Sequence, residues 1–374
     1  MAESTHATNS PPPFLWIDED AALSEACAHW QSFAAIGLDT EFVRTRTYFA
    51  KLGLIQVGAG DRCWLIDPLK ISDWTGFVAL LADPDTTKII HSGSEDIEIF
   101  QRLGDAPLAN FFDTQKAAAL CGLGSSLSYQ ALVMELCNTV VEKDVTRSNW
   151  VARPLSDAQL RYAALDVAHL DRLLATLTEK LNRLDRMAWL EEDCNSLIAR
   201  TSLDEQLNQQ FQRFKLVWRL NGPQRSALAT LIKWREVTAR TKDRPRSHVL
   251  TDNDLLTLAR ELPNDRQTLM ALTLEHSRSV SRQLPALLDC LNEASNASTH
   301  PPAQPEPLDR SAKQLVNQLR EQISLQANAL DIAPEVLCGK RELLHLLQTG
   351  KPSRKLAGWR FALLEPFVGE HLPA

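Results

Sequence analysis

The stretch Leu38-Asp39-Thr40-Glu41-Phe42 constrains this chain more than any other, because it sets two carboxylates two positions apart in a segment patterned as a buried strand. Side chains alternate across a strand, so Ile36, Leu38, Thr40 and Phe42 take one face while Asp39 and Glu41 share the other. Two like charges on a core strand repel each other and cost desolvation. They persist where a cation neutralises them or where water reaches them. The stretch alone leaves two readings open: a metal-binding face, or a strand end leaving its sheet with both acids solvated.

At 374 residues the chain is longer than one core usually serves, so two or three domains are expected. Its seven cysteines are odd in number and scattered, with no C-x-x-C pair and no nearby His at zinc spacing, which points to a reducing, cytoplasmic setting. No apolar run approaches the roughly 18 residues of a membrane span, and Met1 to Pro13 lacks the basic-then-apolar layout of a signal peptide. The expectation is a soluble protein. The net charge of −7 hides an uneven distribution: between Phe211 and Leu250 ten Lys or Arg face two acids, Glu236 and Asp243. Such a block is either the footprint of a polyanion or a well-solvated helical face.

Along the chain, a polar Pro-rich arm to Pro13 is expected to be disordered at its tip. Helical spacing follows over Asp18 to Phe33, then the acidic strand. Leu52 to Val57 and Cys63 to Pro68 flank a Gly/Asp turn and predict a hairpin. Trp74 to Leu81 is patterned as a helix and Lys88 to His91 as a short buried strand, which runs through Ser92-Gly93-Ser94-Glu95-Asp96 into a further helix. In open α/β sheets that junction is where functional groups are placed, although acids in a first helical turn are also favoured by the helix dipole. Phe112-Asp113-Thr114 marks another strand-to-helix step, Leu127 to Leu136 a core helix, and Ser148 to Leu155 a loop. The next helix opens on a capping box, Ser156 with Gln159, and continues through an apolar stripe of Leu165, His169, Leu173 and Leu177. Tyr162 and Asp166 lie one turn apart on its face.

Asp39, Glu41, Asp96 and Asp166 thus fall on three elements, all oxygen donors, with no His or Cys at ligand spacing. Hard oxygen sites of this kind suit Mg²⁺ or Mn²⁺. Two such ions, about 3.5–4 Å apart, can clamp the attacking and leaving oxygens of an in-line phosphoryl displacement. Phosphodiester hydrolysis is the chemistry implied.

The order Leu38-Asp39-Thr40-Glu41-Phe42, His91-Ser92-Gly93-Ser94-Glu95-Asp96 and Tyr162-Ala163-Ala164-Leu165-Asp166 resembles the three motifs of the DEDD exonuclease superfamily. A Tyr four residues before the last Asp is similar to its DEDDy branch; the sister branch would carry a His where Arg161 stands. Trp150-Val151-Ala152-Arg153-Pro154-Leu155 and Phe42 to Tyr48 further resemble the bacterial ribonuclease D family. The resemblance implies an α/β N-terminal domain, a ribonuclease H-like mixed sheet flanked by helices, that performs metal-dependent 3′→5′ exoribonucleolysis and releases nucleoside 5′-monophosphates. It implies that Asp39 bridges two metal ions, that Glu41 and Asp166 hold the ion carrying the attacking water, and that Asp96, rather than Glu95, supports the other ion. Tyr162 would orient the nucleophile. Thr40 and Phe42 would meet the terminal nucleotide, and His91, Arg235 and Arg240 are further candidate substrate contacts. The expected partner is RNA with an accessible 3′ end, such as a tRNA precursor, bound by a monomer. A 3′→5′ DNA exonuclease shares the motifs and remains the alternative. A non-catalytic RNA-binding protein would be expected to have lost at least one of the four acids.

Two all-α bundles are expected to follow. The chain is read as an arm over 1–13, an exonuclease domain over 14–205, a first helical domain over 211–292, a linker over 293–308 and a second helical domain over 309–374. The first resembles the helicase-and-RNase-D C-terminal (HRDC) domain, with Pro223 at a helix start and Thr251-Asp252-Asn253-Asp254 as a capping box; the second weakly echoes it and is nearly neutral.

Overall fold

The computed structural model describes residues 13–141, 148–272, 283–306 and 308–373. The arm expected over 1–13 therefore lies, apart from Pro13, outside the described residues. The chain divides into two compact units, one drawn from residues 1–43, 52–199 and 309–374, the other from residues 44–51 and 200–308. Among the described residues no helix is long and apolar enough to cross a membrane.

The first unit is built on a six-stranded mixed sheet in the order β1-β4-β3-β2-β5-β6. Its strands are β1 (Phe14–Ile17), β2 (Ala35–Val43), β3 (Lys51–Ala59), β4 (Arg62–Ile66), β5 (Thr87–Ile90) and β6 (Phe111–Asp113). β3 and β4 form the expected antiparallel hairpin, closing on the Ala59–Arg62 pair with Gly60 at φ 60°. β1 was not expected. Four apolar residues, Phe14-Leu15-Trp16-Ile17, carry no alternation to reveal a strand, and this one exists through parallel pairing with β4, some fifty residues on.

Alternation along β2 decides what each face meets. Ile36 and Leu38 join Ile55, Val57 and Ala59 in a core completed by α1 (Asp20–Trp30), α2 (Thr75–Ala82) and α3 (Ser94–Leu103) through Leu23, Trp30, Phe77 and Phe100. The opposite face receives α6 (Asp157–Val167) and α7 (Leu170–Arg183), after α4 (Thr114–Leu120) and α5 (Tyr129–Cys137). They come very close: a Cβ on Gly58 would stand 2.9 Å from the Val167 carbonyl oxygen. Asp39 and Glu41, odd-numbered like Gly37, therefore look toward α6.

The long helix expected from Ser156 is in fact two. The capping box forms, Gln159 N–H donating to Ser156 Oγ at 3.3 Å and Ser156 N–H to Gln159 Oε1 at 3.0 Å. The helix then ends at Val167 and α7 starts at Leu170. Tyr129, reaching in from α5, satisfies the break: its hydroxyl donates to Leu165 O at 2.9 Å and accepts from His169 N–H at 3.2 Å.

α8 (Met187–Ile198) and residues 309–374 complete this unit. The C-terminal helices Arg310–Ala329, Lys340–Thr349 and Trp359–Val368 are joined to α8 by Arg360, whose guanidinium grips both Asp193 carboxylate oxygens, and by the Trp189–Trp359 stack at 4.3 Å.

The second unit is helical: α9 (Leu203–Arg213), α10 (Gly222–Thr241), α11 (Arg246–Val249), α12 (Asp252–Glu261), α13 (Arg266–Leu272) and the helix Leu284–Ser295. Its core is Phe211, Val217, Leu228, Leu231, Ile232, Leu255, Leu258, Leu287 and Leu291. Pro223 stands at the start of α10, and the Thr251/Asp254 box opens α12. The stretch after the last helix runs irregularly but is tied down, Arg225 donating to Pro301 O at 2.7 Å and Gln304 to Phe211 O at 3.1 Å. Glu236 is fully buried and accepts from Arg240 at 2.8 Å, Arg246 at 2.5 Å, Gln210 at 3.0 Å and the Tyr48 hydroxyl.

Candidate active site

The parallel pair β2 and β5 ends at one edge of the sheet, so the acids of β2 and the turn into α3 lie side by side there. α6 passes over the same edge on the face of the odd-numbered residues. Ligand oxygens of Asp39, Glu41 and Asp166 all lie within 4.8 Å of one another. Asp96 arrives from the other face, where the Thr40 hydroxyl, buried on the even-numbered side of β2, donates to its carboxylate. Asp96 is buried at 8 % exposure while Glu95 points outward, which separates the two acids that share that helical turn.

The turn bearing Asp96 is held by a residue that sequence reasoning passed over as a strand end. Asp113 accepts from the Ser92 and Gly93 amides at 3.1 and 3.2 Å, and also caps α4 through Gln115 and Lys116 at 2.9 and 3.2 Å. One carboxylate thereby locks two strand-to-helix turns together. His91 is turned into the protein, its ring nitrogens bonded to Thr114 Oγ1 at 2.9 Å and Leu127 O at 3.1 Å, so both are occupied. Phe42 is half-buried near the end of β2.

Crowding four carboxyls in one place shifts their proton affinities. Asp39 is pushed well above the usual carboxylate range by burial and then by Asp96, Asp166 and Glu41. Burial, with Asp166 and Asp96, takes Glu41 to about 8. Burial takes Asp166 to about 7 against the opposing Tyr162 hydroxyl, and Asp96 to about 6 against the opposing Thr40. Such a cluster cannot carry its full charge unaided. An all-oxygen donor set whose full charge calls for a cation to offset it fits a hard divalent ion.

Tyr162, one turn before Asp166, is itself raised far above its ordinary value by burial and the neighbouring acids, so it stays protonated. Its ring leans on Trp150, with centroids 6.1 Å apart and planes at 37°. Trp150 belongs to the loop ahead of α6, which Arg153 pins by donating to Trp150 O at 2.9 Å, Gly53 O at 2.7 Å and both oxygens of Asp67 at 2.5 and 2.7 Å. The Trp150 indole N–H lies beside Glu41 and is the one influence opposing that acid's rise, yet it falls short of a formed hydrogen bond.

In the second unit, Arg235 is buried and donates to Leu250 O at 3.1 Å and Asp252 at 2.6 Å; Arg240 is paired with Glu236 and Gln206. The exposed cations of the block are Arg213, Lys215, Arg219, Lys233, Lys242, Arg244 and Arg246, the last also bonded to Glu236.

Comparison with known proteins finds relatives along most of the chain. Residues 14–182 match the 3′-5′ exonuclease family and residues 224–291 the HRDC domain. The chain is 40% identical over 357 residues to ribonuclease D of Pseudomonas paraeruginosa, covering 93% of this chain and 95% of that one. It is 34% identical over 373 residues to ribonuclease D of Escherichia coli, covering 94% and 96%. The crystal structure of the Escherichia coli enzyme, described as an exoribonuclease involved in structured RNA processing, superposes with a TM-score of 0.86 at 30% identity, covering 96% of this chain and 100% of that one.

Proposed function

This chain belongs to the ribonuclease D family, and from that premise we propose that it is a metal-dependent 3′→5′ exoribonuclease acting at the Asp39, Glu41, Asp96 and Asp166 cluster. The observation that carries the site assignment is the convergence of Asp39, Glu41 and Asp166 oxygens within 4.8 Å, with Asp96 bonded in from Thr40. These four acids would hold two Mg²⁺ or Mn²⁺ ions. Bound there, the ions supply charge stabilisation to the reacting phosphodiester and lower the pKa of a water.

The reaction is hydrolysis of the last phosphodiester: a water oxygen bonds to phosphorus, the bond to the preceding O3′ breaks, and a nucleoside 5′-monophosphate leaves. Tyr162, protonated at neutral pH, acts as a hydrogen-bond donor that orients the nucleophile and is not a general base. Thr40 acts on the site through Asp96, and we assign contact with the terminal nucleotide to the half-buried Phe42. The substrates are structured RNAs with accessible 3′ ends, tRNA precursors among them, and the protein works as a cytoplasmic monomer. Residues 309–374, a second helical domain, serve to brace α8 through Arg360 and Trp359.

The test uses 3′-labelled RNA and DNA of matched sequence with Mg²⁺ or Mn²⁺. The wild-type chain should release mononucleotides from RNA, and Asp39→Ala should slow that release by more than the roughly 10–100-fold that loss of an outer ligand partner costs. Full activity in Asp39→Ala would remove the metal site; faster attack on DNA would make the protein a DNA exonuclease.

A further inference from the structure

Trp150 is 1 % exposed, and its indole N–H has no hydrogen-bond partner among the described residues. A buried donor left without a partner is destabilising, so its position calls for a reason. Nothing about the loop is loose. Arg153 holds the Trp150 carbonyl, and a Cβ on Gly53 would stand 2.5 Å from that same oxygen, so β3 accepts the loop only because residue 53 lacks a side chain. On one side the indole ring supports Tyr162; its nitrogen lies beside Glu41. An aromatic ring fixed this firmly, with a spare donor next to a candidate metal ligand, is placed to orient that ligand.

We propose that Trp150 is a positioning residue: its unpartnered indole N–H donates to the Glu41 carboxylate and holds it in the orientation a divalent cation would need, while the ring holds Tyr162 in place. A donor of this kind aims a carboxylate ligand as a second hydrogen bond aims a metal-bound histidine, and its loss typically weakens metal binding by about 10–100-fold. A cation held by Glu41 would fix the carboxylate beside the indole, and hydrogen bonds to carboxylates are among the stronger ones, so the bond forms most fully in the metal-loaded protein. The inference rests on the metal-site reading above, and its test separates the two.

Calorimetry with Mn²⁺ alone, on the full chain, compares wild type with Trp150→Phe, which keeps a ring beside Tyr162 and removes the N–H. The variant should bind Mn²⁺ at least about tenfold more weakly, and its metal-free melting temperature should match wild type. Equal affinity overturns the proposal, whereas wild type failing to bind Mn²⁺ overturns the metal site itself. A second measurement needs no variant. In the ¹⁵N-tryptophan-labelled wild-type chain, which has nine tryptophans, one indole N–H resonance should move downfield as Mg²⁺ saturates the site. If none of the indole resonances moves, the donor is not recruited and the proposal fails.

Discussion

Burial and three neighbouring carboxylates hold the Tyr162 hydroxyl far above its ordinary proton affinity, so it meets the reaction as a donor. Tyr162→Phe should therefore lower kcat by on the order of 10²–10³, the cost of removing one positioned donor, and leave KM within about twofold; a KM rise at constant kcat would make Tyr162 a binding residue instead. The acids make a second prediction. Each holds its proton more tightly folded than unfolded, so in cation-free protein their stabilising contribution is complete below about pH 4. It is lost as pH rises through the values of Asp96, Asp166 and Glu41, about 6, 7 and 8. With EDTA present, the melting temperature should fall more between pH 5.5 and 8.5 in wild type than in Glu41→Gln, and Mg²⁺ should restore it at the upper pH. Identical pH slopes in the two proteins would contradict the assigned shift. Asp39 and Glu41 stood out in the sequence as charge on a strand patterned for burial, which by itself left a solvated strand end open; Asp96 and Asp166, on helices, joined them through the order of the motifs. Asp113, Thr40 and Tyr129 act through bonds to residues 21, 56 and 36 positions away, and no local pattern encodes those partners.

Among the elements, those with their own local signals were readable: the Ser156 box of α6, the β3–β4 hairpin, and Pro223 at the start of α10. The break between α6 and α7 was not, since Leu165, His169, Leu173 and Leu177 keep helical spacing straight through it, and what stabilises the gap is Tyr129 from another helix. The Trp150–Leu155 loop shows the same dependence on distant chain. Its carbonyl lies where a Gly53 side chain would be, backbone against backbone, so neither partner can yield by changing rotamer. Gly53→Ala should shift the loop, cost about 1–3 kcal/mol of stability as an overpacked site does, and reduce turnover because Trp150 and Tyr162 move with it. Denaturant melts and steady-state rates measure both; unchanged rates in a destabilised Gly53→Ala protein would disconnect the loop from the chemistry.

Charge is organised on the scale of the whole molecule, and there composition alone misleads. The block of ten cations within 211–250 looks uniform as sequence, yet the structure gives its members different work. Arg235 is sealed against Asp252 and Leu250 O. Arg240 and Arg246 close around Glu236, which burial alone would push up but which their hydrogen bonds, with those of Tyr48 and Gln210, hold at about 2. These arginines stabilise the helical unit, but each pair has a partner open to solvent, so losing one costs less than the about 3–5 kcal/mol of a fully buried pair. Lys233 and Lys242 are exposed, with no ion pair among the described salt bridges to compete with a phosphate. Single-stranded RNA binding measured against salt should separate the two groups. Each cation that contacts a phosphate contributes about 0.7 to the slope of log K against log salt. Lys233→Ala and Lys242→Ala should flatten the slope by about that amount each while leaving the melting temperature alone. Arg240→Ala should lower the melting temperature and leave the slope near wild type, because its guanidinium is already committed to Glu236 and Gln206. A flattened slope in Arg240→Ala at unchanged stability would mean that the ion pair opens to take the phosphate, and would return Arg240 to the substrate contacts.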